Sequence, residues 1–219
     1  MKRYAIIVKE RKFFQAILFI FLSIVLSFII VFNLSCKKSE SRDILTSEER
    51  AWLKKNSGNI RLSFDQAFHP VEFIDSTGNY RGLSADFVKL IENKLNFKFK
   101  IVKIADWSKI LNRAKNSKID VITGIAANNK RKKYLLFTEP YLDIPCIILT
   151  RTNIKKRLTL KDMRGMRIIT SRGYAVTDYV KKNFPYLNVK LADNNIEGMK
   201  KVSAGLADAV VLSVTSASY

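Results

Sequence analysis

Histidine occurs once in these 219 residues and cysteine twice. The single histidine, His69, stands directly before Pro70 and reads as a loop residue rather than a ligand or a base. The cysteines, Cys36 and Cys146, match no metal-ligand or redox-pair spacing, so no metal centre or other cofactor is expected. Cys146 lies in the apolar run IPCIILT, where a buried free thiol is expected. Acidic residues are also scarce, 19 against 39 Lys and Arg, for a net charge of +20. The acids that could serve as general acids, Asp65, Glu72 and Asp86, have no evident partner in the sequence, and Glu139 reads as a turn residue. Catalysis therefore has little to stand on.

What the chain does have is apolar material, 47% of its residues, ample for a core. It is not evenly spread. Phe13 to Leu34 runs for 22 residues without a charge, long enough for a bilayer-spanning helix. Five cations precede it, which places residues 1–12 in the cytoplasm and Ser35 onward outside. Residues 1–38 hold seven cations and one acid, so the remainder still carries 32 cations against 18 acids. A basic body favours anionic partners, but its export excludes nucleic acid. Two readings of the apolar run stay open. It is an uncleaved anchor, or it is a signal segment ending at NLSC, with Cys36 as a lipidation site. In the second reading the chain is a lipoprotein. Either way the body is tethered at the membrane, in the periplasm or an equivalent extracytoplasmic space.

Beyond a polar linker, TSEERAWLKK begins a helix with Thr46 and Glu49 placed as a capping box. Strands are expected at 60–64, 71–75, 97–104 and 119–125. Helices are expected at 84–95, with Ser84 as cap and Phe87, Leu90, Ile91 and Leu95 on its apolar face, and at 106–117, capped by Asp106. This β-α-β-α-β order argues for a largely parallel sheet flanked by helices. A second series follows: strands at 146–150, 166–171, 188–192 and 207–213, helices at 159–165, 174–184 and 195–205.

From about Ile60 to Tyr219 the segments DQAFHPVEFID, GLSADFVKLI, DWSKIL, IDVITGIAANNKRKKYLLFTEPY, LKDMRGMRI and GLADAVV keep an order and spacing that resembles bacterial solute-binding protein family 3. The leading LTSEERAWL resembles the segment before such domains in membrane-bound sensors. The resemblance implies the α/β, two-lobed type II periplasmic-binding-protein fold, closing over a ligand about a hinge. The resulting organisation is a basic cytoplasmic N-terminus at 1–12, the transmembrane or signal helix at 13–34, a linker and capping helix at 35–57, lobe one at 58–145 and an incomplete lobe two at 146–219. The family continues beyond the point where this sequence stops, so the chain is expected to be poorly stable and to close weakly.

The resemblance also nominates residues. After the lobe-one glycine, Gly124, amino-acid binders carry two threonines and an arginine that clamps the ligand carboxylate. Ala126 and Asn128 stand at the threonine positions and Arg131 at the arginine position, with Lys130, Lys132 and Lys133 as surface charges. Phe68 and Trp107 stand where aromatic rings pack on the ligand, and Asp65 is expected to order the first loop. In lobe two, Ser171, Arg172, Gly173 and Tyr174 resemble a loop whose backbone amides meet the ligand. Ser213 replaces the aspartate that holds an α-amino group. The implied ligand is an amino acid or another small carboxylate. The implied partners are that solute, the membrane and either an ABC permease or a signalling domain. A non-binding periplasmic module, or part of a cell-wall lytic enzyme, is the alternative.

Overall fold

A computed structural model describes residues 45–219. The expectations for residues 1–12, for the apolar run at 13–34 and for Cys36 lie outside the described residues. Among those described, no helix is long and apolar enough to cross a membrane. In chain order the elements are α1 (Ser47–Asn56), β1 (Arg61–Ser63), β2 (Ala67–Phe68), β3 (Glu72–Ile74), β4 (Tyr80–Arg81), α2 (Leu83–Leu95), β5 (Lys100–Ile101), α3 (Trp107–Lys115), β6 (Val121–Ile122), β7 (Cys146–Thr150), β8 (Ile168–Ser171), α4 (Ala175–Asn183), β9 (Val189–Ala192), α5 (Asn195–Ser203), β10 (Ala209–Ser213) and α6 (Val214–Ser218).

The expected parallel sheet is present but shorter than its sequence signals. β1 lies between β5 and β6 and is parallel to both. Only two or three residues of each apolar run join the ladder. Next to it β2, β3 and β4 form an antiparallel meander. Its first strand, Ala67–Phe68, is too short to leave a periodic trace. Leu62, Phe64 and Val88 make the core between β1 and α2, and Phe64 stacks on Tyr80 with ring centroids 3.7 Å apart.

α2 departs from its reading. Its first residue is Leu83, and Ser84 is buried rather than capping, its hydroxyl bonded to the Tyr141 hydroxyl at 2.9 Å. The expected stripe is largely uncovered: Leu90 is 64% exposed, and Phe87 and Ile91 are also exposed. Helical spacing shows that residues share a face, not that anything covers it. α3 follows the expectation, with the Asp106 carboxylate accepting from the Lys109 N–H at 3.1 Å.

The second series builds a four-stranded sheet in the order β7-β10-β8-β9. Here β8, β9 and β10 are parallel and β7 is antiparallel to β10. β10 is buried along its whole length, so its alternate side chains serve two cores. Ala209 and Val211 join Ile168 and Val180 on the α4 side, while Val210 and Leu212 join Ile169 and Val202 on the α5 side. A continuous apolar run covered on both faces is what such a central strand requires. The expected helix at 159–165 is a 3-10 turn, Leu160–Met163, closed by a reciprocal capping box between Thr159 and Asp162. Cys146 is free but exposed, not buried, because it starts β7 at the sheet margin and lines a cleft.

Candidate functional site

The carboxyl ends of β1 and β6 and the loop after β8 converge, as helix-flanked parallel strands arrange their loops. Between them is a cleft of about 1060 Å³ whose walls include Asp65, Phe68, Trp107, Arg131, Tyr174 and Ser213. Gly124 and Ala126 also line it, whereas Ser171 and Gly173 do not.

Arg131 is placed by its own short turn. Asn128 accepts the Arg131 N–H at 2.9 Å through its side chain and the Lys132 N–H at 2.9 Å through its carbonyl. This directs the guanidinium inward, where only 4% of the residue stays exposed. There Nη1 donates to the Ala126 carbonyl at 2.6 Å and Nη2 to the Gly173 carbonyl at 2.8 Å, while the guanidinium carbon lies 5.7 Å from the centre of the Trp107 ring. Burial lowers its pKa from the ordinary arginine value. Among the described residues no carboxylate pairs with it. Lys130 is not a bystander, since its ammonium pairs with Asp178 of α4 at 2.6 Å.

The loop after β8 differs from the expectation of an amide-presenting anion site. Ser171 is buried and bonds Asn195 Oδ1 through its hydroxyl at 2.7 Å. Gly173 offers its carbonyl, which accepts from Arg131 and, at 3.2 Å, from Trp107 Nε1. Its φ of +76° turns that carbonyl toward the arginine, a conformation that suits glycine. Arg172 is exposed and faces Asp193 at 3.6 Å. Tyr174 reaches across the cleft, and its hydroxyl donates to Asp65 Oδ2. Its ring meets Phe68 edge-on at 6.5 Å and Trp107 at 6.2 Å. Both aromatics nominated for a ligand thus flank this tyrosine.

Behind Asp65 lies a polar cluster that the sequence did not connect. Asp65 Oδ1 accepts the Ala67 N–H at 2.9 Å, which orders the first loop as expected. Its own N–H donates to Glu72 Oε1 at 3.0 Å. Thr123 bonds Glu72 Oε2 at 2.6 Å and also meets the Tyr80 hydroxyl at 2.9 Å. Glu72 is fully buried, and desolvation pushes its pKa up to about 7 despite these bonds. Desolvation also raises Asp65, with the Tyr174 hydroxyl working against it. Gly124 lies two residues beyond the end of β6, and a Cβ there would come within 2.4 Å of Glu72 Oε1. Only glycine fits against that carboxyl group. Ser213 ends β10 and caps α6, accepting from the Ser216 N–H at 3.3 Å. No signal in the sequence ties Glu72 to Thr123 and Tyr80, because the three come from separate elements and meet only in the fold.

The comparisons agree with this architecture. Residues 60–214 match the model of the bacterial extracellular solute-binding proteins, family 3. The virulence sensor protein BvgS of Bordetella pertussis is 24% identical over 174 residues, 80% of this chain but 14% of the sensor. The L-cystine-binding protein TcyJ of Bacillus subtilis is 32% identical over 120 residues, 52% of this chain and 44% of that protein. The chain thus spans well under two thirds of the length of these curated relatives. Among solved structures, the ancestral amino acid-binding protein AncCDT-1, a precursor of cyclohexadienyl dehydratase, superposes with a TM-score of 0.69 at 25% identity, covering 78% of this chain and 76% of that one. A histidine kinase sensor domain similar to periplasmic binding proteins shares the fold, with a TM-score of 0.71 at 22% identity over 75% of this chain and 72% of that one. With the family model covering most of its length and the cleft at the carboxyl ends of its strands, the chain belongs to the bacterial extracellular solute-binding proteins of family 3.

Proposed function

We propose that this chain binds a small carboxylate-bearing solute in the cleft, outside the cytoplasmic membrane, as the sensing part of a tethered protein. In this reading residues 58–145 and 146–219 act as the two lobes, residues 13–34 tether them, and residues 1–12 stay in the cytoplasm. The observation that carries the reading is Arg131. A buried cation without a counter-charge is costly, and two neutral carbonyls offset only part of that cost. Arginine has five N–H donors in a planar fork, and Nη1 and Nη2 use one each, so the fork retains donors for a carboxylate. Phe68, Trp107 and Tyr174 supply the aromatic walls that small-molecule sites use. Ser213 cannot neutralise an ammonium, which favours an acid without an α-amino group over an amino acid.

Sensing is preferred to uptake because the sensor relatives align along somewhat more of the chain, 75–82% against 52–72% for the curated solute-binding relatives. Solute binding, not turnover, is the activity of the proposed site. The test is calorimetry of the full chain against amino acids and small mono- and dicarboxylates. One or more acids should bind saturably. Arg131→Ala should weaken that binding by about 2–5 kcal/mol, the loss expected for a truncated charge-assisted pair. Undiminished affinity in this variant rules out the arginine's role. No binding by any acid favours a module that works through protein contacts alone.

A further inference from the structure

The amino end of the three-stranded parallel sheet carries a second cationic surface, apart from Arg131, with Ser117 and Asp120 at its border lining the cleft. The strands begin there, with Arg61 beside Lys100. Helices α2 and α3 run back against them and finish there, with Lys94 and Lys115 in their last turns. Lys118 leads into β6. The segment after α1 joins the same end, since the Gly58 N–H donates to the Lys98 carbonyl at 2.7 Å and the Lys98 N–H to Ser57 Oγ at 3.0 Å. Of the acids around it, Asp120 pairs with Arg61 at 2.6 Å and Glu92 with Lys98 at 2.7 Å, while Glu48 and Glu49 stand in the first turn of α1. Lys54, Lys55, Lys94, Lys100, Lys115 and Lys118 are exposed and make no ion pair among the described residues.

Lysines in the last turn of a helix complement its dipole, which accounts for some of these positions. It covers Lys54 and Lys55 as well, which sit in the last turn of α1, but not the exposure of that helix. None of the ten residues of this helix is buried, and Trp52 is 55% exposed, two residues before Lys54 and three before Lys55. An exposed tryptophan next to lysines matches a lipid headgroup layer, where the indole has one apolar and one wet side. The chain also constrains what this surface can meet. Twelve residues separate Leu34 from Ser47, a reach of at most about 40–45 Å even when fully extended.

We infer that this basal surface, centred on Trp52 and the lysines around it, docks on anionic phospholipid headgroups. The inference rests on residues 13–34 entering a membrane, which is tested separately: flotation of the full chain with neutral vesicles must survive high salt.

The experiment uses the full chain in nanodiscs of phosphatidylcholine alone or mixed with phosphatidylglycerol, each carrying a spin label on the headgroup, and reads quenching of tryptophan emission. A Trp52→Phe chain supplies the background from buried Trp107. Stronger quenching with the anionic lipid, lost at 0.5 M salt, is expected. Each lysine at the surface contributes about fivefold to headgroup association. Lys54, Lys55, Lys100 and Lys118 changed together to Gln should lower the lipid-dependent quenching at least tenfold. The same change at Lys155, Arg157, Lys161 and Lys182, a charge-matched set around the four-stranded sheet, should leave it intact, with both variants keeping the parent melting temperature. Equal quenching in the two lipids overturns the inference. So does equal loss in the two variants, or concentration-dependent protection of Trp52 without lipid, which identifies a second copy of the chain as the occupant.

Discussion

Tyr174→Phe removes one oxygen and tests whether the cleft is held from within. In the native chain that oxygen is the hydroxyl that donates to Asp65 Oδ2, and Asp65 has one other hydrogen-bond donor, the Ala67 N–H. A hydrogen bond to a charged, buried group contributes about 1.5–3 kcal/mol, and Oδ2 is left without a donor while Oδ1 keeps the Ala67 N–H. For a domain of about 175 residues, each kcal/mol moves the melting temperature by about 2–4 °C, so a fall of about 3–12 °C is expected. The ring contacts with Phe68 and Trp107 survive in phenylalanine, which isolates the hydroxyl. The assay is a double-mutant cycle in denaturant, combining Tyr174→Phe with Asp65→Asn. Partners in direct contact should show a coupling of at least about 1 kcal/mol. Strict additivity of the two losses refutes the contact and, with it, the idea that Tyr174 holds the cleft from within.

Glu72 makes stability depend on pH in the direction opposite to most carboxylates. Its folded pKa is about 7, above the unfolded value near 4.3, so its contribution is complete below about pH 4 and disappears as pH rises to 7. The loss is on the order of 3 kcal/mol. Glu72→Gln, which keeps the side chain's size and an oxygen to accept from the Asp65 N–H but cannot ionise, should flatten that slope in melts from pH 4.5 to 8. Gly124→Ala should cost on the order of 2–4 kcal/mol, because its Cβ would enter the Glu72 carboxyl group from a backbone at φ +56°; an unchanged denaturation midpoint contradicts this. Arg131→Lys should keep the charge but lose the fork that spans the Ala126 and Gly173 carbonyls, destabilising by about 1–3 kcal/mol in the same melts. Asp208→Asn, at a partly buried carboxylate that accepts from the Arg167 N–H at 2.8 Å and its guanidinium at 2.6 Å and faces Arg151 at 3.7 Å, should destabilise by about 1–3 kcal/mol in the same melts.

The legible parts of the fold are those governed by short-range rules. Asp106 as a helix cap, the alternation of β-strands with helices and the apolar run of β10 each follow from a few neighbouring residues. Where the sequence misled, a distant partner was missing or unforeseen. The α2 stripe has helical spacing, yet Leu90 faces solvent. Cys146 sits in an apolar run but at a sheet margin. The site divides in the same way. Phe68, Trp107 and Arg131 do come together at one cleft, and Asp65 orders its loop. Ser171 instead turns into the core, and Gly173 presents a carbonyl where an amide was expected, because a backbone rotation that no side chain encodes decides which group faces Arg131.

By itself, then, the sequence determined the α/β order, the family and the loops that would meet, since periodicity, caps and motif spacing are local and survive without coordinates. Only the tertiary structure decided which charges are buried, what each of them touches and that Tyr174 closes on Asp65. Those outcomes depend on desolvation and on atoms more than a hundred positions apart in the chain.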